Sequence, residues 1–251
     1  MAYRSDGEKF AMLIITGITN FFGLPAIYVC YKKKLYFPFC IGLFTCFTSF
    51  VYHSLDSVLW SSFYIKSQEW HKLDNIGSIM CFITLMIYWM DNLQQKDKTT
   101  YTSRPYCDLD LFLSFSGLFL TMLMQAHHPW YLQNTFTPIL TFVFICGVKN
   151  LLYRRARFNK GYMVKGGLIL VLAVICFIKA LDENQDYLRI YHGLWHCGGS
   201  ISSFYLWQTI DKDREIKGLN VIKYCKQQRF EFSRVLSEMV TLKFISKREL
   251  F

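Results

Sequence analysis

The chain alternates between long stretches without a charged residue and short segments rich in lysine and arginine. An apolar stretch of about 20 residues is long enough for a helix to cross a bilayer. A shorter uncharged stretch, 166–178, lies between Lys165 and Lys179. It still counts as a span because both lysines can bury their methylene groups while the ammonium group reaches the interface. The five uncharged stretches, of which the fourth is long enough for two helices, are 10–31, 35–55, 75–90, 111–148 and 190–210.

This pattern predicts an all-α membrane protein, a bundle of seven transmembrane helices. The connecting segments are too short for another domain, so we expect one membrane domain over residues 1–209 and a tail over 210–251. The first span runs into Lys32-Lys33-Lys34 without a small-residue cleavage pattern, which favours an uncleaved anchor over a signal peptide. The predicted spans are 10–30, 36–58, 73–91, 110–127, 132–149, 165–181 and 188–209.

Composition and charge agree with a membrane protein and indicate its orientation. Apolar residues make up 53% of the chain and charged residues 18%, with a mean hydropathy of +0.20, which excludes a disordered chain and an ordinary soluble domain. With the N-terminus outside, 22 of the 28 lysines and arginines fall on the inner side. Cytoplasmic loops hold this excess in membrane proteins, so we expect an outer N-terminus and a cytoplasmic C-terminus. The net charge of +10 is then mostly a topology signal and implies no nucleic acid partner.

The tail over 210–251 interleaves basic residues with apolar ones. This pattern is typical of a basic amphipathic helix that lies on the anionic inner leaflet. A solvated helix, or one that contacts another subunit, is the alternative interpretation.

Four ionisable residues are expected near the outer ends of three different spans: His53, Asp74, His192 and His196. Ionisable groups at membrane depth are costly, and each is therefore a candidate for a functional site. His192 and His196 are four residues apart, so both rings project from one face of a helix. Three neutral imidazoles and a water form the open tetrahedral arrangement of a catalytic zinc, which makes zinc the first choice of metal. The alternative is a set of interfacial histidines that hydrogen-bond to the backbone.

The remaining histidines have simpler interpretations. His127 and His128 stand beside an aromatic Pro-Trp-Tyr segment, where an interfacial belt is the ordinary explanation. His71 lies beside Trp70 and is interpreted as interfacial, with a reserve role as a ligand because Asp74 is close in sequence.

Three short motifs occur in order on the second, third and seventh predicted spans. They resemble the signature of the CREST superfamily, which contains alkaline ceramidases and adiponectin receptors. The resemblance implies a zinc ion held by three histidines, with a carboxylate and a hydroxyl around the water at the metal as candidate catalytic groups. The motifs are Ser49-x-x-x-His53, Leu73-Asp74-Asn75-Ile76-Gly77-Ser78 and His192-x-x-x-His196, with Asp74 and Ser49 as the catalytic candidates.

Within that superfamily the chain is most similar to the myomaker family. The similarity rests on Tyr52-His53-Ser54-Leu55-Asp56 and on Tyr191-His192-Gly193-Leu194-Trp195-His196. It implies a plasma-membrane protein that promotes cell–cell fusion, as in myoblasts, with a zinc site in the outer leaflet and bound lipid. Some relatives have a large extracellular domain and are proposed to cleave lipid anchors, whereas this chain is expected to be the seven-span unit alone.

The resemblance therefore favours a fusion protein, and a zinc-dependent hydrolase of a lipid amide or ester is the alternative. A G-protein-coupled receptor is disfavoured because the last span lacks an Asn-Pro-x-x-Tyr motif. The resemblance implies membrane lipids as partners, a homodimer, and a fusogenic micropeptide or another cell-surface protein. It also implies the plasma membrane as the main location, with a Golgi or endomembrane pool.

Overall fold

Helices account for most of the residues that the computed structural model describes. These residues are 5–58, 65–90, 108–127, 131–152, 158–182 and 186–210. The predicted tail helix lies outside them, apart from Ile210, which forms an isolated antiparallel bridge with Phe158. Seven helical runs occur within these ranges: α1 Asp6–Lys32, α2 Tyr36–Val58, α3 Ser67–Met90, α4 Asp108–His127, α5 Leu132–Leu152, α6 Lys160–Ala180 and α7 Ile190–Leu206.

Six of the seven runs, α1 to α6, are long and apolar enough to cross a membrane. This confirms the prediction of a helical protein embedded in a membrane. The seventh run, α7, has 17 residues. Each helix coincides with one of the predicted spans to within a few residues at most ends, because the uncharged stretches coincide with the helical ones.

Two helices begin earlier than their apolar stretches predict. α3 starts at Ser67, and the polar first turn is held by an ion pair between Glu69 and Lys72, whose atoms lie 2.9 Å apart. α6 starts at Lys160, where the side chain of Asn159 accepts from the backbone N–H groups of the first turn. Hydropathy detects neither start because capping and ion pairs use polar residues. Asp74 therefore lies about two turns inside α3 rather than at its beginning.

α1 is predicted as a regular span, but the structure interrupts it. Leu13–Gly17 is a π-helical turn and Ile18–Gly23 is a 3₁₀ segment. Side chains supply hydrogen bonds here: the Thr16 hydroxyl donates to the Met12 carbonyl at 2.8 Å, and the Asn20 amide donates to the Thr16 carbonyl at 2.8 Å. Such side-chain donors offer the backbone an alternative to the regular helical ladder. π-turns inside helices are frequent at functional sites.

α3 forms the centre of the core and packs against α2, α4 and α5. α1 packs against α2 and α7, and α7 packs against α6, so α2 and α7 are both neighbours of α1. Between helices in a membrane, van der Waals packing and interhelical hydrogen bonds drive such association, because lipid tails are as apolar as the side chains. Five apolar α3 side chains are at most 1% exposed: Ile79, Met80, Ile83, Ile87 and Met90.

Candidate metal centre

Three histidines from two helices meet at one point of the bundle. His53 comes from α2, and His192 and His196 come from the first two turns of α7. One ring nitrogen from each lies within 4.8 Å of the other two, and the Nε2 atoms of His53 and His192 are 3.2 Å apart. The prediction that these residues converge is confirmed. Within the described part of the chain they are the group of three that can hold a metal ion.

The spacing of these nitrogens fits a small divalent ion. Tetrahedral zinc has Zn–N distances of about 2.0–2.1 Å, which places its nitrogen ligands about 3.4 Å from one another. One observed separation is 3.2 Å and none of the three exceeds 4.8 Å, so they lie around that value. Neutral imidazole suits zinc and several other first-row metals. The cluster can therefore hold a metal ion with three protein ligands and one position left for water or substrate.

A carboxylate lies beside the histidines. Oδ2 of Asp74 is 3.8 Å from Nε2 of His53, and the side chain is nearly buried. Ser49, on α2 one turn before His53, has its hydroxyl hydrogen-bonded to this carboxylate. Oδ1 of Asp74 has no hydrogen-bond partner among the residues described. Burying an unpaired carboxylate oxygen is costly, so this atom is available to a water or a substrate group at the centre.

The irregular part of α1 contacts the third histidine. Nδ1 of His196 lies 3.1 Å from the backbone carbonyl oxygen of Thr16 and 3.3 Å from the hydroxyl oxygen of Thr19. Histidines that bind metals usually donate their second ring N–H to a carbonyl or a carboxylate. This role of α1 was not predicted from the sequence. The available signal was the polar run Thr16-Gly17-Ile18-Thr19-Asn20 inside an apolar span.

A second carboxylate holds the beginning of α7. Asp186 is 3% exposed, and its two oxygens accept from the backbone N–H groups of Tyr191 and His192, each at 3.0 Å. These are orphan donors of the first helical turn, and a carboxylate there also interacts favourably with the helix dipole. The contact fixes the turn that carries His192. Asp186 was not among the residues predicted from sequence, because it lies three residues before the N-cap, Arg189, and the capping preference applies to the N-cap position.

Two glycines allow the helices to approach closely at the centre. A Cβ added at Gly193 would lie 2.5 Å from the backbone oxygen of Ile15, and one at Gly77 would lie 3.0 Å from the Cα of Thr45. A side chain at either position would push the helix backbones apart. Gly193 stands next to His192 on α7, and Gly77 lies one turn after Asp74 on α3. The site therefore depends on backbone contacts between α1 and α7 and between α2 and α3.

A comparison with protein families identifies the relatives of this chain. Residues 8–197 match the family described as "Protein of unknown function (DUF3522)". The chain belongs to the DUF3522 family. No curated protein matches the chain. The DUF3522 match includes all three histidines, Asp74 and Ser49, together with the α1 segment and Asp186, so both the candidate ligands and the groups that hold them lie inside the family region.

The other two histidines that the structure of this DUF3522 protein describes do not join the cluster. His71 lies on α3 and packs against Tyr52, with ring centroids 4.9 Å apart, and Tyr52 in turn packs against His53 at 4.7 Å. His127 is exposed at the end of α4. His128 lies outside the described residues. The cluster thus contains three of the five histidines that the structure describes.

Proposed function

We propose that this DUF3522 protein is a membrane-embedded, zinc-dependent hydrolase that cleaves an ester or amide bond of a lipid. The observation that supports it best is the buried Asp74 carboxylate, with one unpartnered oxygen, beside three imidazoles. A structural zinc site is usually closed by four protein ligands, whereas a catalytic site keeps a position open. Three histidines and a nearby acid match the second kind.

His53, His192 and His196 would hold the zinc, which when bound activates water as a nucleophile and polarises a carbonyl oxygen. Asp74 acts as the general base: it takes a proton from the attacking water. It then returns that proton to the leaving alcohol or amine, so that water and lipid become a fatty acid and the remaining alcohol or amine part of the lipid. The Ser49 hydroxyl, which hydrogen-bonds to this carboxylate, would help to orient it.

The proposal includes seven spans, with the N-terminus outside and the metal centre in the outer leaflet. The orientation is supported by the excess of lysine and arginine on the side opposite the N-terminus. The seventh span is supported by the length of α7, which has 17 residues. At a rise of 1.5 Å per residue, α7 is about 26 Å long, close to the thickness of the hydrocarbon core. The plasma membrane is the proposed main location, with an endomembrane pool. A site in the outer leaflet is reached by lipid from within the bilayer.

The test is turnover by detergent-purified protein. We expect release of fatty acid from ceramide or phospholipid in mixed micelles, loss of that release after zinc is removed by a chelator, and its return when zinc is added back. Magnesium added at the same concentration serves as the control ion, because it prefers oxygen ligands and does not suit three imidazoles. Zinc-loaded, folded protein that releases no fatty acid from any lipid class would contradict the proposal.

A second candidate function is cell–cell fusion, which the two myomaker-like segments around His53 and His192 favour. In this case the metal would hold the outer ends of α2 and α7 together and organise bound lipid, without turnover. Two cell populations that both display the protein are mixed, each with a different cytoplasmic dye. We expect the two populations to share their contents. A homodimer and a cell-surface partner protein belong to this candidate. No mixing in spite of verified surface expression on both populations would argue against it.

A further inference from the structure

The histidine cluster is supported from α1 by a backbone carbonyl in the irregular part of that helix. The π-turn Leu13–Gly17 and the following 3₁₀ segment change the hydrogen-bond pattern around Thr16. The Thr16 carbonyl receives the amide of Asn20 at 2.8 Å and also faces Nδ1 of His196 at 3.1 Å. The Asn20 amide and the His196 ring therefore meet at one carbonyl oxygen in the irregular part of α1.

The contact assigns the two nitrogens of the His196 ring. A carbonyl oxygen only accepts hydrogen bonds, so Nδ1 must donate and carry the proton. The lone pair of the neutral ring is then on Nε2, which is the nitrogen left to bind a metal. With Nδ1 held by α1, the ring has one orientation in which to present Nε2.

Thr19 adds a second acceptor for the same N–H. Its hydroxyl donates to the Ile15 carbonyl at 2.6 Å, so its oxygen lone pair faces Nδ1 of His196 at 3.3 Å. Asn20 does not contact His196 itself. Its amide donates to the Thr16 carbonyl at 2.8 Å and to the Gly17 carbonyl at 3.2 Å, and so it holds two carbonyls of the irregular turn. Gly193 permits this arrangement because it lets α7 approach the backbone of Ile15.

We propose that Thr19 and Asn20 are positioning residues for the metal centre, which hold the irregular turn of α1 so that it fixes His196 with Nε2 toward the ion. This rests on the proposed zinc centre, and it assigns a role to a helix that bears no ligand. Partners of this kind typically contribute 10-fold to 100-fold to metal affinity, which is about the effect that we expect here.

The experiment compares zinc affinity by chelator competition, and the visible spectrum of the cobalt-substituted protein, between wild type and a Thr19→Val/Asn20→Leu variant. We expect affinity to fall about 10-fold to 100-fold and the cobalt bands to shift, because the ring loses its fixed orientation. Thr19→Ser, which keeps the hydroxyl, should restore the wild-type values when Asn20 is intact. If the double variant fails to fold, the nearly isosteric Thr19→Val variant is measured in its place.

Thr141→Val is the matched control. Thr141 donates to the carbonyl four residues earlier at 2.8 Å, as Thr19 does, but it is half-buried on α5, a helix that supplies no metal ligand. It should leave affinity and spectrum unchanged. If Thr19→Val and the double variant bind zinc as tightly as wild type with the same cobalt spectrum, the positioning role is wrong while the zinc centre stands. A folded wild type that binds no metal overturns both.

Discussion

Replacing His192 and His196 together with alanine should abolish metal binding. Metal analysis of purified protein is expected to fall from about one zinc per chain in the wild type to background in the double variant, because an open site with three ligands is left with one. In the double variant, His53 is the one histidine of the cluster that remains. His127→Ala is the matched control: it removes an exposed histidine outside the cluster and should leave the zinc content unchanged.

Thermal unfolding gives an independent readout of the same prediction. A ligand that binds only the folded state stabilises it by about 2.7 kcal/mol at 100 times its dissociation constant. Added zinc should therefore raise the melting temperature of the wild type and of His127→Ala, and leave that of the double variant unchanged. Equal zinc content in the wild type and the double variant would contradict the assignment of these ligands. A zinc-free, folded wild type would remove the hydrolase proposal and leave a hydrogen-bonded histidine cluster.

Asp74→Asn should separate chemistry from metal binding. The amide has nearly the shape of the carboxylate and still accepts a hydrogen bond from Ser49, but it cannot take a proton from water. General acid–base catalysis contributes typically 100-fold to 10,000-fold, so we expect lipid turnover to fall by about that factor. Zinc content should stay at the wild-type level, since the three imidazoles are untouched. The measurement is the rate of fatty-acid release at equal zinc loading.

Asp108→Asn is the control for this substitution, because Asp108 is exposed at the beginning of α4, on a helix that supplies no metal ligand. It should retain full turnover. Undiminished turnover in Asp74→Asn would exclude Asp74 as the base. Cell mixing that persists in Asp74→Asn but disappears in the double histidine variant would favour the fusion candidate, with a metal that holds the helices together.

Much of the fold could be predicted because hydropathy determines where a chain crosses a bilayer. The uncharged stretches locate all seven helical runs, since backbone polar groups in an apolar medium must be satisfied within a helix. The starts of α3 and α6 were missed because Glu69, Lys72 and Asn159 stabilise helix beginnings through local polar contacts. The interruption of α1 was missed for a related reason: Asn20 bonds to its own backbone, and no periodicity reports this.

The candidate site, too, could be predicted from the sequence only in part. The four-residue spacing placed His192 and His196 on one face from sequence alone, because a helix repeats every 3.6 residues. Their meeting with His53 was an expectation from span order and equal depth, which many bundles satisfy without contact. Asp186 and Thr16 were absent from that expectation, since one acts through backbone N–H groups and the other through its carbonyl. Backbone groups have no residue-specific signal in a sequence.

By itself, the sequence determined the membrane-embedded helical class, the order of the helices and the candidate ligands, because these follow from hydrophobicity and residue chemistry along the chain. Only the tertiary structure decided that His53 and His192, 139 residues apart, bring their Nε2 atoms within 3.2 Å. It also decided that α1 supports His196 and that Asp74 keeps an unpartnered oxygen beside the cluster. Helix packing sets these contacts through close approaches such as that at Gly193, and such approaches depend on the facing helix.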